Sequence, residues 1–143
     1  MTKPSSAVRI GDVLLMNLPE QNPQGREQEG IRPVVVMGLP SLTGPDREPL
    51  LIGVPLTSTR GEWAGQNATL YPTVKAPMGG LNRDGIALID QTRSIDPARL
   101  VRHIGHLTDK QRLPLLEGLK QMFDFRGGLN QSTRETVKPV QKG

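Results

Sequence analysis

Gly25-Arg-Glu-Gln-Glu-Gly-Ile-Arg-Pro-Val-Val-Val36 runs from a polar, glycine-flanked loop straight into an apolar strand and leaves a charged pair, Glu27 and Arg32, at the junction. Polar side chains at the root of a strand are held in one geometry, while the loop beside them is free to move over a ligand. The rest of the chain repeats the pattern, with short apolar runs separated by Gly/Pro-rich breaks, which is the signature of a small β domain. Strands are expected over 13–18, 33–37, 50–56, 71–76, 85–95 and 101–107, the run from Gly85 being the most clearly buried and Pro55 placing the end of the third strand at an edge or bulge. The breaks 19–30, 39–49 and 58–69 are long; loops of about 12 residues in a small domain are functional or mobile.

One helix is expected. Leu113, Leu116, Leu119 and Phe123, with Leu115 and Met122 beside them, recur at spacings of three and four and form an apolar face. Thr108-Asp-Lys-Gln111 has the form of a capping box, but a helix starting there would enclose Pro114 and lose a backbone hydrogen bond. The start is therefore expected near 112–114, with a looser turn from Thr108, and Gly127-Gly128 is expected to end the helix. Residues 1–128 read as one domain, and 129–143, with no apolar periodicity, as a disordered basic tail.

Composition bounds the chemistry. With 143 residues there is room for one core, and with aromatics at 3% that core must be aliphatic. The absence of cysteine excludes disulfides, thiolate chemistry and Cys-based zinc sites. No apolar run approaches the roughly 18 residues of a membrane span, and the N-terminus lacks a signal-peptide stretch, so a cytoplasmic protein without a membrane partner is expected. Most of the net charge of +4 sits in residues 126–143, where Arg126, Arg134, Lys138 and Lys142 outweigh Glu135. Any polyanion site in the nearly neutral body needs local clustering, for which Arg26, Arg32, Arg60, Arg83 and Arg93 are the supply.

Four fragments occur in register with one known family. Gly11-Asp12 opening the first strand, Glu27-Gln28 through Val36, Val54-Pro-Leu-Thr-Ser58, and Gly85 through Asp90-Gln-Thr-Arg-Ser-Ile-Asp96 with Arg99-Leu100 follow the order of the MazF/PemK toxin endoribonucleases, and the resemblance covers roughly residues 9 to 123. It implies a mostly β fold with a C-terminal helix, a small SH3-like barrel shared with the CcdB gyrase poisons. It also implies metal-independent, sequence-selective cleavage of single-stranded RNA with no cofactor. In that reaction the ribose 2′-hydroxyl attacks the adjacent phosphorus and leaves a 2′,3′-cyclic phosphate and a 5′-hydroxyl. The partners it implies are a second copy of the chain, forming a homodimer, and a small acidic antitoxin. The rival reading is a non-catalytic, CcdB-like or regulatory binding module on the same fold.

Matched residue by residue, the family's catalytic pair falls on Arg32 and Thr57. A guanidinium has the forked donors that stabilise charge building on two phosphoryl oxygens, and a threonine hydroxyl adds a third donor. Arginine stays protonated, so Glu27 is the candidate proton acceptor, or else the group that orients Arg32. Arg26, Gln28, Ser58, Arg60, Lys75 and Arg83 are candidate RNA contacts, with Asn82 beside Arg83. Trp63 lies in a polar loop with no evident core role, so its ring is either a base-stacking platform, worth about 1 to 3 kcal/mol, or a loop anchor. His103 and His106 stand three apart in a strand, which puts them on opposite faces with no third ligand nearby, and they are not read as a metal pair.

Overall fold

Alternation along a strand sends successive side chains to opposite faces, and here both faces are apolar. In the computed structural model, which describes residues 8–124, Val13, Val35 and Val54 join Leu56, Ile89, Leu107 and Leu115 in one buried cluster. Leu14, Met16, Leu18, Val34 and Val36 join Leu51 and Ile95 in a second. A sheet buried on both faces has to curl around one core and be covered over the other.

The strands are β1 (Asp12–Leu18), β2 (Gly30–Gly38), β3 (Leu51–Thr57), β4 (Thr73–Val74), β5 (Gly85–Ala87), β6 (Arg93–Ile95) and β7 (Leu100–His106). All pairings are antiparallel, in the order β4-β5-β3-β2-β1-β7, with β6 also on β3. A short helix α1 (Glu62–Gln66) follows β3, and α2 (Asp109–Met122) closes the first core cluster through Leu115. The result is the expected mostly β class, a half-barrel of antiparallel strands with a C-terminal helix.

Several local expectations are corrected. The single strand expected over 85–95 is two, because β5 pairs Leu56 and Thr57 while β6 pairs Leu51 to Gly53, and the residues in excess, Ile89–Gln91, fold into a 3-10 turn between them. Pro55 lies in an interior strand rather than at an edge. It sits where β3 changes partner from β6 to β5, so its missing N–H breaks no ladder there, and its carbonyl accepts from Leu88 N at 2.9 Å. The histidines are not on opposite faces: β7 shifts register against β1 so that Val13 pairs Gly105 and Leu14 pairs His103, and the bulge at Ile104 resets the alternation. His106 Nδ1 then lies 2.8 Å and His103 Nε2 3.4 Å from the two carboxylate oxygens of the fully buried Asp12, which also accepts from Arg9 N at 2.8 Å.

Helix α2 begins at Asp109, earlier than expected. Thr108 and Gln111 form the complete capping box, with bonds of 3.1 and 2.9 Å. Pro114 is tolerated because the carbonyl it leaves without a partner belongs to Lys110, on the exposed side of the helix. The helix ends at Met122, before Gly127-Gly128, which lie outside the described residues, as does the 129–143 tail. Its packed face is Leu115, Gly118 and Leu119, while Leu113, Leu116 and Phe123 are turned outward.

Gly118 is the point of closest approach. Alanine in mid-helix ordinarily gains up to about 1 kcal/mol over glycine. A Cβ on Gly118 would stand 2.6 Å from the Thr69 carbonyl oxygen and 3.1 Å from Ile89 Cγ1. Gly118→Ala is therefore expected to lower stability by about 1 to 3 kcal/mol in denaturant unfolding, and an increase would show that α2 can back away from the barrel without loss.

Candidate active site

The register of β2 on β3 pairs Val34 with Pro55 and Val35 with Val54. Continued two residues past the ladder, it sets Arg32 opposite Thr57. Both side chains line two adjoining cavities, one of about 330 Å³ and one of about 510 Å³, so they stand where the two meet. The smaller cavity continues over Ser58, Asn82, Arg83, Asp84 and Arg102; the larger over Arg26, Gln28, Trp63, Tyr71, Asp90 and Gln91.

Arg32 is oriented by one bond, from its Nε to the Glu29 carbonyl at 3.1 Å. Its terminal nitrogens make no hydrogen bond or ion pair among the described residues, which leaves the forked end of the guanidinium for a ligand. Thr57 is only 8% exposed, and its Oγ1 accepts from Thr59 N at 3.2 Å, so its own proton remains to be donated. An anion at this junction meets two Arg32 N–H groups and one hydroxyl, with Arg26, Arg83 and Arg102 further along the groove.

The loop before β2 is held at its neck. Gln91 donates from Nε2 to the Arg26 carbonyl at 3.0 Å and accepts from Gln28 N at 2.9 Å, and Arg93 Nη1 donates to the Gln28 carbonyl at 3.1 Å. A side-chain amide here does the work of a backbone ladder. The Gln28 side chain takes no part, and its Oε1 is buried without a partner among the described residues.

Of the residues singled out in the sequence, the structure gathers Arg26, Gln28, Arg32, Thr57, Ser58, Trp63 and Arg83 around the groove. Glu27, Arg60 and Lys75 line neither cavity. Glu27 makes no ion pair with Arg32; its carboxylate folds back over Gly25, where a Cβ would collide with it. Tyr71, Asp90, Gln91 and Arg102 were not anticipated as groove residues. The signal for Asp90 and Gln91 was a polar interruption in an otherwise buried run; Tyr71 and Arg102 carried none. Trp63 is both exposed to the cavity and braced, its ring meeting that of Tyr71 edge-on at 4.8 Å and 81°. Among the described residues no group of three or more His, Cys, Asp or Glu is placed to hold a metal, and no helix is long and apolar enough to cross a membrane.

A half-barrel of antiparallel strands with a C-terminal helix, with an open arginine and a hydroxyl where two cavities meet, defines the class of this protein. More narrowly, the chain belongs to the PemK-like, MazF-like toxin family of type II toxin-antitoxin systems, whose sequence profile matches residues 9–123. It is 32% identical over 104 residues to Endoribonuclease MazF of Staphylococcus saprophyticus, a match spanning 73% of this chain and 81% of that one. The fold is similar to that of crystalline MazF from Deinococcus radiodurans, with a TM-score of 0.64 at 22% identity over 82% of this chain and 97% of the other. It is also similar to the MazE-MazF crystal structure from the same organism, with a TM-score of 0.61 at 21% identity over 83% and 97%.

The aromatic wall of the groove offers a direct test. Tyr71 donates its O–H to Asp90 Oδ2 at 2.7 Å; this bond, followed by burial and the carboxylate's charge, pushes the phenol up to about 12. Because the folded state holds this proton more tightly than the unfolded chain, the stabilisation is complete below the ordinary phenol pKa of about 10 and is lost as pH rises through 12. The protein has one tyrosine, so its tyrosinate absorbance reads this group alone. Titration near pH 12 is expected in the wild type and at lower pH in Asp90→Asn; an unchanged midpoint in the variant would remove Asp90 as the cause.

Proposed function

We propose that the protein is a metal-independent endoribonuclease toxin that cuts single-stranded RNA at the Arg32–Thr57 junction and is neutralised by a cognate acidic antitoxin. The observation that carries this reading is the unpaired guanidinium fork of Arg32 beside a donor hydroxyl, at the root of the groove. The family's membership in toxin-antitoxin systems and the naming of its relatives as endoribonucleases support the substrate class and the partner.

In the reaction the ribose 2′-oxygen forms a bond to the adjacent phosphorus while the bond from phosphorus to the 5′-oxygen breaks. The 2′-hydroxyl gives up its proton and the departing 5′-oxygen takes one, so the products are a cyclic phosphate and a 5′-hydroxyl. Negative charge grows on the non-bridging oxygens in the five-coordinate state. Arg32 and Thr57 answer that charge with donors held in place before the substrate arrives, which is the economical form of electrostatic catalysis. Arg83 and Arg102 meet the flanking phosphates, and Arg26 contacts the RNA from the larger cavity. Glu27, whose carboxylate folds back over Gly25 outside both cavities, is the loop residue assigned to proton transfer.

Two copies of the chain are proposed to form the working unit, with the outward Leu113, Leu116 and Phe123 of α2 as apolar surface available for burial. The basic groove suits an antitoxin segment with acidic side chains and apolar anchors, which would compete with RNA for Arg32. Action on cytosolic RNA places the protein in the cytoplasm.

The purified chain is expected to cleave RNA in EDTA and to leave cyclic-phosphate ends; activity abolished by chelator and restored by magnesium would sink the mechanism. Arg32→Ala should slow cleavage by about two orders of magnitude or more with the fold intact, and Thr57→Ala by less. A folded Arg32→Ala that keeps most activity would move the catalytic charge elsewhere, and a wild type inactive on varied RNA yet tightly bound to a partner would favour the binding-module reading. Glu27→Gln should alter the acidic limb of the pH-rate profile; a small pH-independent loss would make Glu27 a scaffold residue.

A further inference from the structure

The wall of the larger cavity away from Arg32 is poorly suited to a phosphate. Trp63 is 37% exposed and its orientation is fixed by the edge-on contact with Tyr71. Tyr71 holds Asp90 by Oδ2, and Asp90 Oδ1 makes no hydrogen bond among the described residues. Gln28 lines the same cavity on a backbone locked from both sides by Gln91 and Arg93, but its Oε1 is buried out of a ligand's reach. A carboxylate beside an aromatic ring repels phosphate and calls for N–H donors on a flat molecule. Within RNA, only a base supplies both.

The four bases are not equivalent here. Uracil presents one N–H between two carbonyl oxygens, which would face the acceptors unfavourably. Adenine and cytosine each present one amino group next to an acceptor ring nitrogen. Guanine alone presents adjacent donors, N1–H and the N2 amino group, which match the two oxygens of a carboxylate and leave one further N2 hydrogen. Arg26, lining the same cavity, offers donors to guanine O6.

We propose that Trp63 and Asp90 form a guanine-selective subsite beside the cleavage junction: Trp63 stacks on the base and Asp90 accepts from N1–H and N2–H. The inference rests on the ribonuclease reading for its substrate, and it gives that reading a sequence preference. Tyr71 is a positioning residue, since it acts through Asp90 and Trp63.

The single tryptophan makes the subsite readable in the full chain without catalysis. Short 2′-deoxy oligonucleotides, which cannot be cut, would be titrated while Trp63 fluorescence is followed. Oligonucleotides with one guanine should perturb the signal and bind roughly tenfold or more tighter than those with deoxyuridine at the same place. The discrimination should collapse in Asp90→Asn, and cut sites in mixed-sequence RNA should carry guanine at one fixed offset. Equal binding of the two oligonucleotides, or discrimination that survives Asp90→Asn, would overturn the subsite. A wild type that discriminates guanine by fluorescence but cuts no RNA would keep the subsite and reject the ribonuclease; one that cuts RNA with no guanine at a fixed offset would do the reverse.

Discussion

The antiparallel register between β2 and β3 is the constraint on which the groove depends. It pairs Val34 with Pro55, and by extension it brings Arg32 and Thr57 together at the strand ends. A slip of one residue would turn every side chain of β2 to the other face. Val34 and Val36 would leave the second core cluster, Val35 would leave the first, and Arg32 would swing away from the cavities. Because both faces of this sheet are buried, the register is enforced twice, and the position of a polar pair at the rim is inherited from the packing of aliphatic residues several positions away.

Much of this was legible in the chain itself. The strand at Pro33 to Val36, the polar junction before it and the Thr57 strand end follow from local pattern and from four fragments in family register. What escaped were features decided by partners distant in sequence. The break at Ile89–Gln91 arises because β3 takes two successive neighbours with unequal registers, which no periodicity within 85–95 announces. The histidines were misassigned to opposite faces because a bulge, invisible to a rule of simple alternation, brings both to Asp12. The α2 face was misjudged for a related reason. Gly118, which carries no hydrophobic signal, marks the packed side, and the apolar Leu113 and Phe123 do not.

The 3-10 turn that interrupts the expected strand is also what furnishes half of the groove. It turns the chain between β5 and β6 and so delivers Asp90 to Tyr71 and Gln91 to the neck of the preceding loop. The electrostatics of the two cavities then diverge. One end of the groove is set with Arg83 and Arg102, and the other sets the Asp90 carboxylate with Trp63, Tyr71 and Arg26.

The clamp of Gln91 on Arg26 and Gln28 has an evolutionary consequence. Because the loop is tied off at its neck, residues added to its tip do not pull on the root where Arg32 is seated, and each doubling of length costs only about 0.6 kcal/mol of closure entropy. Descendants of this chain are therefore free to diversify the tip, by insertion as well as by substitution, while inheriting an unaltered Arg32–Thr57 junction.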